Sequence, residues 1–275
     1  MKIIILAAGK GERLMPLTQN TPKPLLDMGN GNTLLEEQLH NLAASGAVEE
    51  VVLVIGYLAE QVEAKMRFFR NRGYRIRTVF NPFYEVANNF MSLWLARNVF
   101  DEGDVLITNG DNLFAPQVFH DFVAECGNGI HLGVGAKTTF DPDDMRVSIV
   151  DKTIVRVNKQ IPDSEAGAES PGLALVRGAY ARRIFTEQLD AMARTGKYLT
   201  RFWLEVFNSL YERGVAVQPW WFDSANLWQE VDFHPDLSKA RSLLQDKLQR
   251  GTVFSRPVEA GLLNEEQPAL VESVA

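Results

Sequence analysis

Short apolar runs rich in β-branched residues alternate with segments of helical periodicity along the first part of the chain. Strands that alternate with helices of this length must be joined by crossover connections, which predicts a largely parallel sheet with helices on both faces. The predicted strands are Lys2–Leu6, Glu50–Ile55, Arg75–Phe80 and Val105–Thr108, and the predicted helices are Leu34–Leu42, Leu58–Asn71 and Ser92–Asn98.

From Gly133 onward the pattern changes to shorter β-like segments, followed by further helical periodicity. We predict strands at Leu132–Lys137, Met145–Val150 and Ile154–Asn158, a hairpin turn at Asp151-Lys152, and helices at Arg182–Met192, Leu199–Arg213 and Leu237–Leu248. The predicted fold class is α/β, a doubly wound and mostly parallel (Rossmann-like) mixed sheet with a smaller β-rich region. We expect one domain over residues 1–250 and a C-terminal extension over 251–275.

The charge balance excludes some classes of partner. With 28 Lys and Arg against 35 Asp and Glu, the 275-residue chain has a net charge of −7, so no global positive field exists to hold a nucleic acid or an anionic membrane surface. No apolar stretch is long enough to span a bilayer. The single cysteine, Cys126, suits a reducing compartment. These features predict a cytoplasmic protein that binds any anionic ligand through local groups.

A glycine-rich loop follows the first predicted strand. Gly9 and Gly11 lack side chains, so backbone N–H groups there can approach a polyphosphate, and Arg13 and Lys23 add positive charge. The alternative is a purely structural turn between strand and helix. The loop is neither a dinucleotide fingerprint, because Leu14 stands where the third glycine would be, nor a P-loop, because that spacing is absent.

The full pattern, from Leu6 through Thr18 and on to Thr21-Pro22-Lys23-Pro24-Leu25, resembles the signature of the nucleotidylyltransferase superfamily. The resemblance extends in general layout to about Leu248. It implies an NTP-binding part over about residues 1–130, an acceptor-binding part over about 131–235, and Mg²⁺ bridging the phosphates. It also implies a set of nucleotide-binding residues, namely Leu6, Ala8, Gly9, Gly11, Arg13, Lys23, Gly56, Asn88, Ser92 and Gly110.

Two acidic segments are candidates for a metal site. Asp111 follows an apolar strand at the edge of the sheet where ligands bind in open α/β folds, although Asn109-Gly110-Asp111 would also suit an Asx turn. Glu230 and Asp232 alternate with Val231 and therefore face the same side of a strand, which could equally be a solvated edge. The resemblance implies that Asp111, Glu230 and Asp232 are the ligands of Mg²⁺.

The segment Asn81–Leu93 indicates which branch of the superfamily the chain resembles. Asn88, Asn89 and Ser92 offer donors and acceptors for a pyrimidine edge or a polar head group, whereas helix capping explains at most one of them. With Gly56-Tyr57 and the Trp228–Asp232 segment, it resembles the phosphocholine cytidylyltransferase branch and its relatives that act on aminoethylphosphonate.

This branch implies substrate contacts by Asn89, Lys159, Glu169 and Trp228. An ammonium head group would favour aromatic faces and a carboxylate, and the second half of the chain offers Trp203, Trp220, Trp221, Trp228, Tyr198, Glu169 and Asp223, of which we expect at most two aromatics on a pocket wall. Ala174-Leu175-Val176 stands where the branch leads us to expect an aromatic-rich strand, which leaves the acceptor open.

The resulting hypothesis is a Mg²⁺-dependent cytidylyltransferase that transfers CMP from CTP to a small phosphoalcohol or phosphonate and releases pyrophosphate. Arg13, Lys23 and Lys159 are the catalytic candidates, and no general base is required because the acceptor is already anionic. The alternatives are a sugar-1-phosphate nucleotidylyltransferase that uses UTP or another NTP, an inactive nucleotide-binding regulatory module, and an assembly subunit whose C-terminal tail docks a partner. A homodimer is among the assemblies that the sequence allows.

Overall fold

The central layer of the molecule is a seven-stranded mixed sheet, seen in a computed structural model that describes residues 1–249, with side chains through Gln245. The predicted C-terminal extension, 251–275, lies outside the described residues. The strands are β1 (Lys2–Ala7), β2 (Glu50–Ile55), β3 (Ile76–Phe80), β4 (Val105–Asn109), β5 (Asn112–Phe114), β6 (Gly129–Val134), β7 (Arg146–Val150), β8 (Thr153–Asn158), β9 (Ala168–Glu169), β10 (Ala174–Arg177), β11 (Gln218–Trp221) and β12 (Trp228–Glu230).

Helices connect these strands and cover the sheet. They are α1 (Leu34–Ser45), α2 (Ala59–Arg70), α3 (Asn89–Leu95), α4 (Val99–Glu102), α5 (Pro116–Glu125), α6 (Ala179–Arg194), α7 (Glu205–Glu212), α8 (Ser224–Leu227) and α9 (His234–Gln249), and Glu12–Leu14 and Lys23–Leu25 form short 3₁₀ helices. Within residues 1–249, no helix combines the length and the apolar character that crossing a lipid bilayer requires.

The strand order is β11-β6-β10-β4-β1-β2-β3. The strands β4, β1, β2 and β3 pair in parallel, and β10 runs antiparallel to both of its neighbours, β4 and β6. Consecutive side chains of β1 point to opposite faces, so Ile4 joins one hydrophobic core while Ile3 and Ile5 join the other. Both faces are therefore buried, and the predicted doubly wound, mostly parallel sheet is confirmed.

The β-rich region is a separate three-stranded sheet in the order β8-β7-β9. The predicted hairpin turn at Asp151-Lys152 is confirmed, since both residues have the positive φ that a tight two-residue turn requires. The predicted strand Leu132–Lys137 is wrong in its bounds, because it runs from Gly129 to Val134 as β6. This strand pairs with β10 and β11, so the second half of the chain also completes the central sheet.

The predicted helix Leu199–Arg213 is wrong in its first part, because α7 begins at Glu205. The preceding residues make hydrogen bonds to the start of α3 instead: the Leu199 carbonyl accepts from the Asn88 N–H at 2.9 Å, and the Trp203 N–H donates to the Asn89 Oδ1 at 2.9 Å. These tertiary bonds replace the helical ones, and the segment becomes part of a cavity wall.

Helix α1 shows how local chemistry sets an element's limits. Thr33 and Glu36 form a reciprocal capping box at its start, and Gly46 ends it in the left-handed conformation with φ 66°. The pair satisfies N–H groups that have no partner within the first turn. The stop predicted at Ser45-Gly46 is therefore confirmed.

Gly56 lies at the carboxyl end of β2, where the chain packs closely against the loop after β1. A Cβ at this position would lie 2.7 Å from the Ala8 carbonyl oxygen and 2.7 Å from the Tyr84 Cβ. The adjacent Tyr57 N–H donates to the Ala8 carbonyl at 2.9 Å, which fixes the spacing of the two segments. Only glycine fits here without moving the loop after β1.

We predict that Gly56→Ala lowers the free energy of unfolding by about 1–3 kcal/mol, because the added methyl group overpacks a backbone contact that cannot move cheaply. Gly127→Ala is the matched control, since its Cβ would meet nothing within 4 Å. That control is expected to be neutral or slightly stabilising. Urea denaturation of both variants measures the difference, and equal stabilities would contradict the packing role of Gly56.

Candidate active site

A cavity of about 640 Å³ opens at the carboxyl ends of β1 and β4. Neighbouring parallel strands end at the same edge of a sheet, so the loops that follow them converge there. The Gly110 N–H donates to the Leu6 carbonyl at 2.8 Å and holds the start of the loop after β4 against the end of β1. The predicted site residues that line this cavity are Leu6, Ala8, Gly9, Gly11, Arg13, Lys23, Asn88, Asn89, Ser92, Gly110, Asp111, Lys159, Glu169, Trp228, Glu230 and Asp232.

Gly56 is the predicted site residue that the structure does not bring to this cavity. It lies behind the wall, between Ala8 and Tyr84, both of which face the cavity. Its place in the motif is explained by close backbone packing. Gly56 therefore supports the loop that carries Ala8, and its predicted contact with a nucleotide stays a prediction.

The glycine loop is shaped by the residues beneath it. Gly11 has φ 66°, and a Cβ there would lie 3.1 Å from both the Lys23 Cβ and the Thr18 Cγ2. The Thr18 hydroxyl donates to the Gly11 carbonyl at 2.8 Å. At Gly9, by contrast, a Cβ would meet nothing within 4 Å. The backbone at Gly9 is thus open to a ligand, while Gly11 packs on the stem of Lys23.

Lys23 joins two of the predicted acidic segments. Its ammonium lies 3.0 Å from the Asp111 Oδ2 and 2.9 Å from the Asp232 Oδ1, and the residue is only 9% exposed. Burial by itself lowers the pKa of this ammonium, but the two carboxylates outweigh burial and the net pKa is raised. Lys23 is therefore a charged group at neutral pH, held at the centre of the site.

Arg13 extends the positive charge towards the cavity mouth. Its guanidinium pairs with Asp232 and lies 3.3 Å from the Asp143 Oδ1, with the Phe233 ring centroid 5.0 Å away. Burial opposes its charge, but Asp232 and Asp143 raise the pKa of the guanidinium. The motif residues Arg13 and Lys23 thus share one partner, Asp232, which lies far away in the sequence.

Glu230 and Asp232 reach the site because β12 pairs with β5, the strand that follows Asp111. The Val231 N–H donates to the Asp111 carbonyl at 2.9 Å, and the Val231 side chain is fully buried. Burial, followed by the negative charges of Asp111 and Asp232, raises the pKa of the Glu230 carboxyl to about 8. This segment is therefore not a solvated strand edge.

Asp111 offers a free ligand atom for a cation. Its Oδ2 accepts from Lys23, whereas its Oδ1 is buried without a hydrogen-bond partner. That pairing also sets aside the Asx turn as the main role of this side chain. Among residues 1–249, no three His, Cys, Asp or Glu side chains are arranged to hold a metal by themselves. Mg²⁺ typically takes one or two carboxylates together with substrate phosphates, and the donor set Asp111 and Asp232 fits that mode.

Lys159 lines the same cavity and directly follows β8. Its ammonium lies 3.1 Å from the Asp143 Oδ1 and 5.2 Å from the centroid of the Phe202 ring. Neither Asp143 nor Phe202 was predicted from the sequence as a site residue. The acidic run Asp141-Pro142-Asp143-Asp144 was a visible signal for the first, but nothing in the sequence showed that Phe202 faces a cavity.

Glu169 lines the cavity beside Asp144, and both carboxylates contact Lys137. The Lys137 ammonium lies 2.6 Å from the Asp144 Oδ2 and 3.1 Å from the Glu169 Oε2. Burial, followed by the contact with Asp144, raises the pKa of the Glu169 carboxyl to about 7, although Lys137 opposes the shift. Of these three residues, only Glu169 was predicted from the sequence as a site residue.

Asn88, Asn89 and Ser92 all hold structure together as well as lining the cavity. The Asn88 Oδ1 caps α3 by accepting from the Asn89 N–H at 2.7 Å. The Asn89 Oδ1 accepts from the Trp203 N–H, and the Ser92 hydroxyl accepts from the Asn81 Nδ2 at 3.0 Å. Internal bonds therefore involve all three side chains, more than the single cap expected from the sequence.

The predicted aromatic candidates divide between wall and core. Trp203 and Trp228 line the cavity, in agreement with the expectation of at most two. Their indole N–H groups donate to Asn109 and Asn112 respectively, each at 2.9 Å. The others lie off this wall: Trp220 packs against Phe122, Tyr198 packs against Phe90, and Trp221 is half exposed.

The strand 174–176, where an aromatic-rich segment was expected, is fully buried in β10. Its residues do not line the cavity.

Known proteins resemble the chain in sequence. The family model for nucleotidyl transferase matches residues 2–135. A choline-phosphate cytidylyltransferase from Streptococcus pneumoniae is 29% identical over 90% of this chain and 100% of its own length. A 2-aminoethylphosphonate cytidylyltransferase from Lancefieldella rimae is 31% identical over 78% of this chain and 83% of its own length.

Solved structures share the fold. A CTP:phosphocholine cytidylyltransferase from Streptococcus pneumoniae superposes with a TM-score of 0.70 at 24% identity, over 88% of this chain and 98% of that one. An inositol-1-phosphate CTP transferase from T. maritima gives a TM-score of 0.72 at 24% identity, over 89% and 94% of the two chains. The fold, the convergence of the motif residues and the sequence matches agree. The chain therefore belongs to the nucleotidyl transferase family, and it is a nucleotidyltransferase.

Proposed function

We propose that this enzyme transfers CMP from CTP to a small acceptor that carries a phosphate or phosphonate group, and that it releases pyrophosphate in a Mg²⁺-dependent reaction. The choice of CTP rests on the names of its sequence relatives, which include cytidylyltransferases for choline phosphate and for 2-aminoethylphosphonate. The choice of a small anionic acceptor rests on the geometry of the cavity. The single cysteine, Cys126, is free and buried, which supports a cytoplasmic setting.

One observation carries the proposal. The Asp143 Oδ1 lies 3.3 Å from the Arg13 Nη2 and 3.1 Å from the Lys159 Nζ, so a cation of the glycine motif and a cation of the β-rich region reach the same anionic oxygen. A phosphoryl oxygen has the charge and hydrogen-bonding capacity to take the place of that carboxylate oxygen. Arg13 and Lys159 are thus spaced to hold one anionic group between the two parts of the site.

This arrangement supports a direct transfer. An anionic oxygen of the acceptor attacks the α-phosphorus of CTP, the new P–O bond forms, and the bond to the bridging oxygen breaks with its electron pair leaving on pyrophosphate. No side chain needs to remove a proton, because the acceptor oxygen is ionised at neutral pH. Lys159 orients the acceptor, and Arg13 and Lys23 neutralise the charge that develops on the phosphoryl oxygens.

Asp111 and Asp232 are the residues that would hold Mg²⁺, with Glu230 close to both. When bound, the ion neutralises phosphate charge and polarises the α-phosphoryl group. Acidic side chains outnumber basic ones on the cavity wall, so a polyphosphate needs an additional cation to enter. The unpartnered Asp111 Oδ1 is the atom that most directly supports this assignment.

The proposed function predicts a specific pattern in a substrate panel. CTP, UTP, ATP and GTP are each combined with phosphocholine, 2-aminoethylphosphonate and several sugar 1-phosphates, and pyrophosphate release is measured. Turnover is expected with CTP and a phosphoalcohol or phosphonate. Turnover restricted to sugar 1-phosphates with UTP or another NTP would replace the proposal with the alternative chemistry, and no turnover with any pair would indicate an inactive module.

We predict that Asp111→Asn raises the Mg²⁺ concentration for half-maximal activity by at least about tenfold, because it neutralises the carboxylate that carries the free Oδ1. Asp101→Asn, an exposed carboxylate on α4, is the matched control and leaves the Mg²⁺ requirement unchanged. Pyrophosphate release titrated with Mg²⁺ gives both values. An unchanged requirement in Asp111→Asn would show that the metal assignment is wrong.

Lys159→Met is expected to raise the KM for the acceptor by about 10- to 100-fold, the range that a lost charge-assisted hydrogen bond produces, with little change in the KM for CTP. Lys159→Arg keeps the charge and recovers part of the affinity. Lys239→Met removes an exposed lysine elsewhere and controls for the change in net charge. A similar rise in both KM values would argue against a role confined to the acceptor.

A further inference from the structure

Three carboxylates converge on one ammonium at the acceptor side of the cavity. Lys137 contacts Asp144 and Glu169 as described above, and the Asp141 Oδ2 lies 3.8 Å from the same ammonium. Asp144 and Glu169 have side chains that are about one tenth exposed and line the cavity, whereas Asp141 is 84% exposed. Lys137 lies behind them and does not form part of the cavity wall.

This cluster, Lys137–Asp144–Glu169, has two carboxyl groups but only one ammonium. One ammonium balances one carboxylate, and the second carboxyl of the buried pair must either hold a proton or find another cation. The raised pKa of Glu169 has this origin, since burial and Asp144 act against its ionisation. A cationic ligand in the cavity would supply the missing charge, whereas a neutral hydroxyl group would not.

Three aromatic side chains of the wall do not offer an open face to a methylated cation. Trp203 has no exposed surface, and Trp228 stacks on Phe114 with an interplanar angle of 20°. The third, Phe202, has Lys159 over it at 5.2 Å, and the fourth aromatic of the wall, Tyr84, packs beside Gly56 and Tyr57. Quaternary ammonium groups are recognised by aromatic cages, and Trp203, Trp228 and Phe202 do not form one. Carboxyl oxygens, in contrast, require N–H or O–H donors.

The cluster lies next to Arg13 and Lys159, the two cations that we propose hold the anionic group of the acceptor. Asp143, which bridges Arg13 and Lys159, and Asp144, which pairs with Lys137, are consecutive residues of one loop. Consecutive Cα atoms are about 3.8 Å apart, so a ligand held at both places must be short. A small molecule with an anionic group at one end and a cationic group at the other meets this requirement.

We propose that Asp144 and Glu169 form the head-group subsite of the acceptor, and that they select a primary ammonium over a trimethylammonium or a hydroxyl group. Lys137 is a positioning residue that holds the two carboxyls at the wall without touching the ligand. This inference rests on the proposed function and specifies its acceptor as an aminoalkyl phosphonate or phosphate.

The first test uses the wild-type enzyme with CTP and three acceptors of similar length: 2-aminoethylphosphonate, its N,N,N-trimethyl derivative and 2-hydroxyethylphosphonate. We expect kcat/KM to be about 10- to 100-fold higher for the primary amine than for either analogue, the range of a charge-assisted hydrogen bond. Equal or higher kcat/KM for the trimethyl compound or the hydroxyl compound would overturn the inference, even if the enzyme is a cytidylyltransferase.

The second test uses Asp144→Asn and Glu169→Gln, with Asp141→Asn as the matched control because Asp141 also faces Lys137 but lies outside the cavity wall. Both subsite variants should raise the KM for 2-aminoethylphosphonate by about tenfold or more with kcat nearly unchanged, and should lose the preference over 2-hydroxyethylphosphonate. A merely structural role would lower kcat for both acceptors alike. That outcome, or an effect of equal size in the control, would overturn the assignment.

Failure of the proposed function gives a different result. If CTP supports no turnover with any of the three acceptors or with the phosphocholine of the substrate panel, the cytidylyltransferase proposal is wrong. Calorimetric titration of the enzyme with the same three compounds still measures the head-group preference, because equilibrium binding requires no turnover. Tighter binding of the primary amine would then support the subsite, and equal binding of the three would overturn it.

Discussion

The structure depends on one buried cation. The Lys23 ammonium, in a residue 9% exposed, lies between Asp111 and Asp232. A charge in this position is tolerated only when it is paired, and removal of one partner would leave the others uncompensated. The three residues come from the loop after β1, the end of β4 and the segment after β12, so their pairing fixes the relative position of segments that are distant in the chain.

Cations are paired with carboxylates across the rest of the cavity as well. Each cationic side chain on its wall is paired with a carboxylate: Lys10 with Glu85, Arg13 with Asp232, Lys23 with Asp111 and Lys159 with Asp143. An anionic substrate must therefore displace carboxylates from these cations. The displaced carboxylates would then carry negative charge that a divalent ion can neutralise, which would connect the proposed binding of phosphate to the proposed binding of Mg²⁺. The net charge of −7 is thus compatible with an anionic substrate, because binding depends on the charged side chains of the cavity and not on the net charge of the chain.

The central strands and the glycine loop could be predicted because their signals are local. β1 and β2 are continuous apolar runs, and Gly9, Gly11, Arg13 and Lys23 follow one another within a short segment. Contacts between distant segments could not be predicted in this way. Asp143, Asp144 and Lys137 gain their roles from tertiary packing, the start of α7 is displaced by hydrogen bonds to Asn88 and Asn89, and Gly56 is fixed by the approach of Ala8 and Tyr84.

This difference explains why the sequence indicates the reaction type more readily than the acceptor. The groups proposed to bind the phosphates lie mostly in one compact motif, whereas the proposed acceptor side is assembled from β8, β9 and the loop after β6. On this side, positive and negative side chains lie close together. Arg13 and Lys159 both contact Asp143, and the carboxyls of Asp144 and Glu169 lie beside them. A wall with opposite charges at adjacent positions is complementary to a short zwitterion. Such complementarity discriminates against ligands that lack either charge, because each leaves a buried group without its partner.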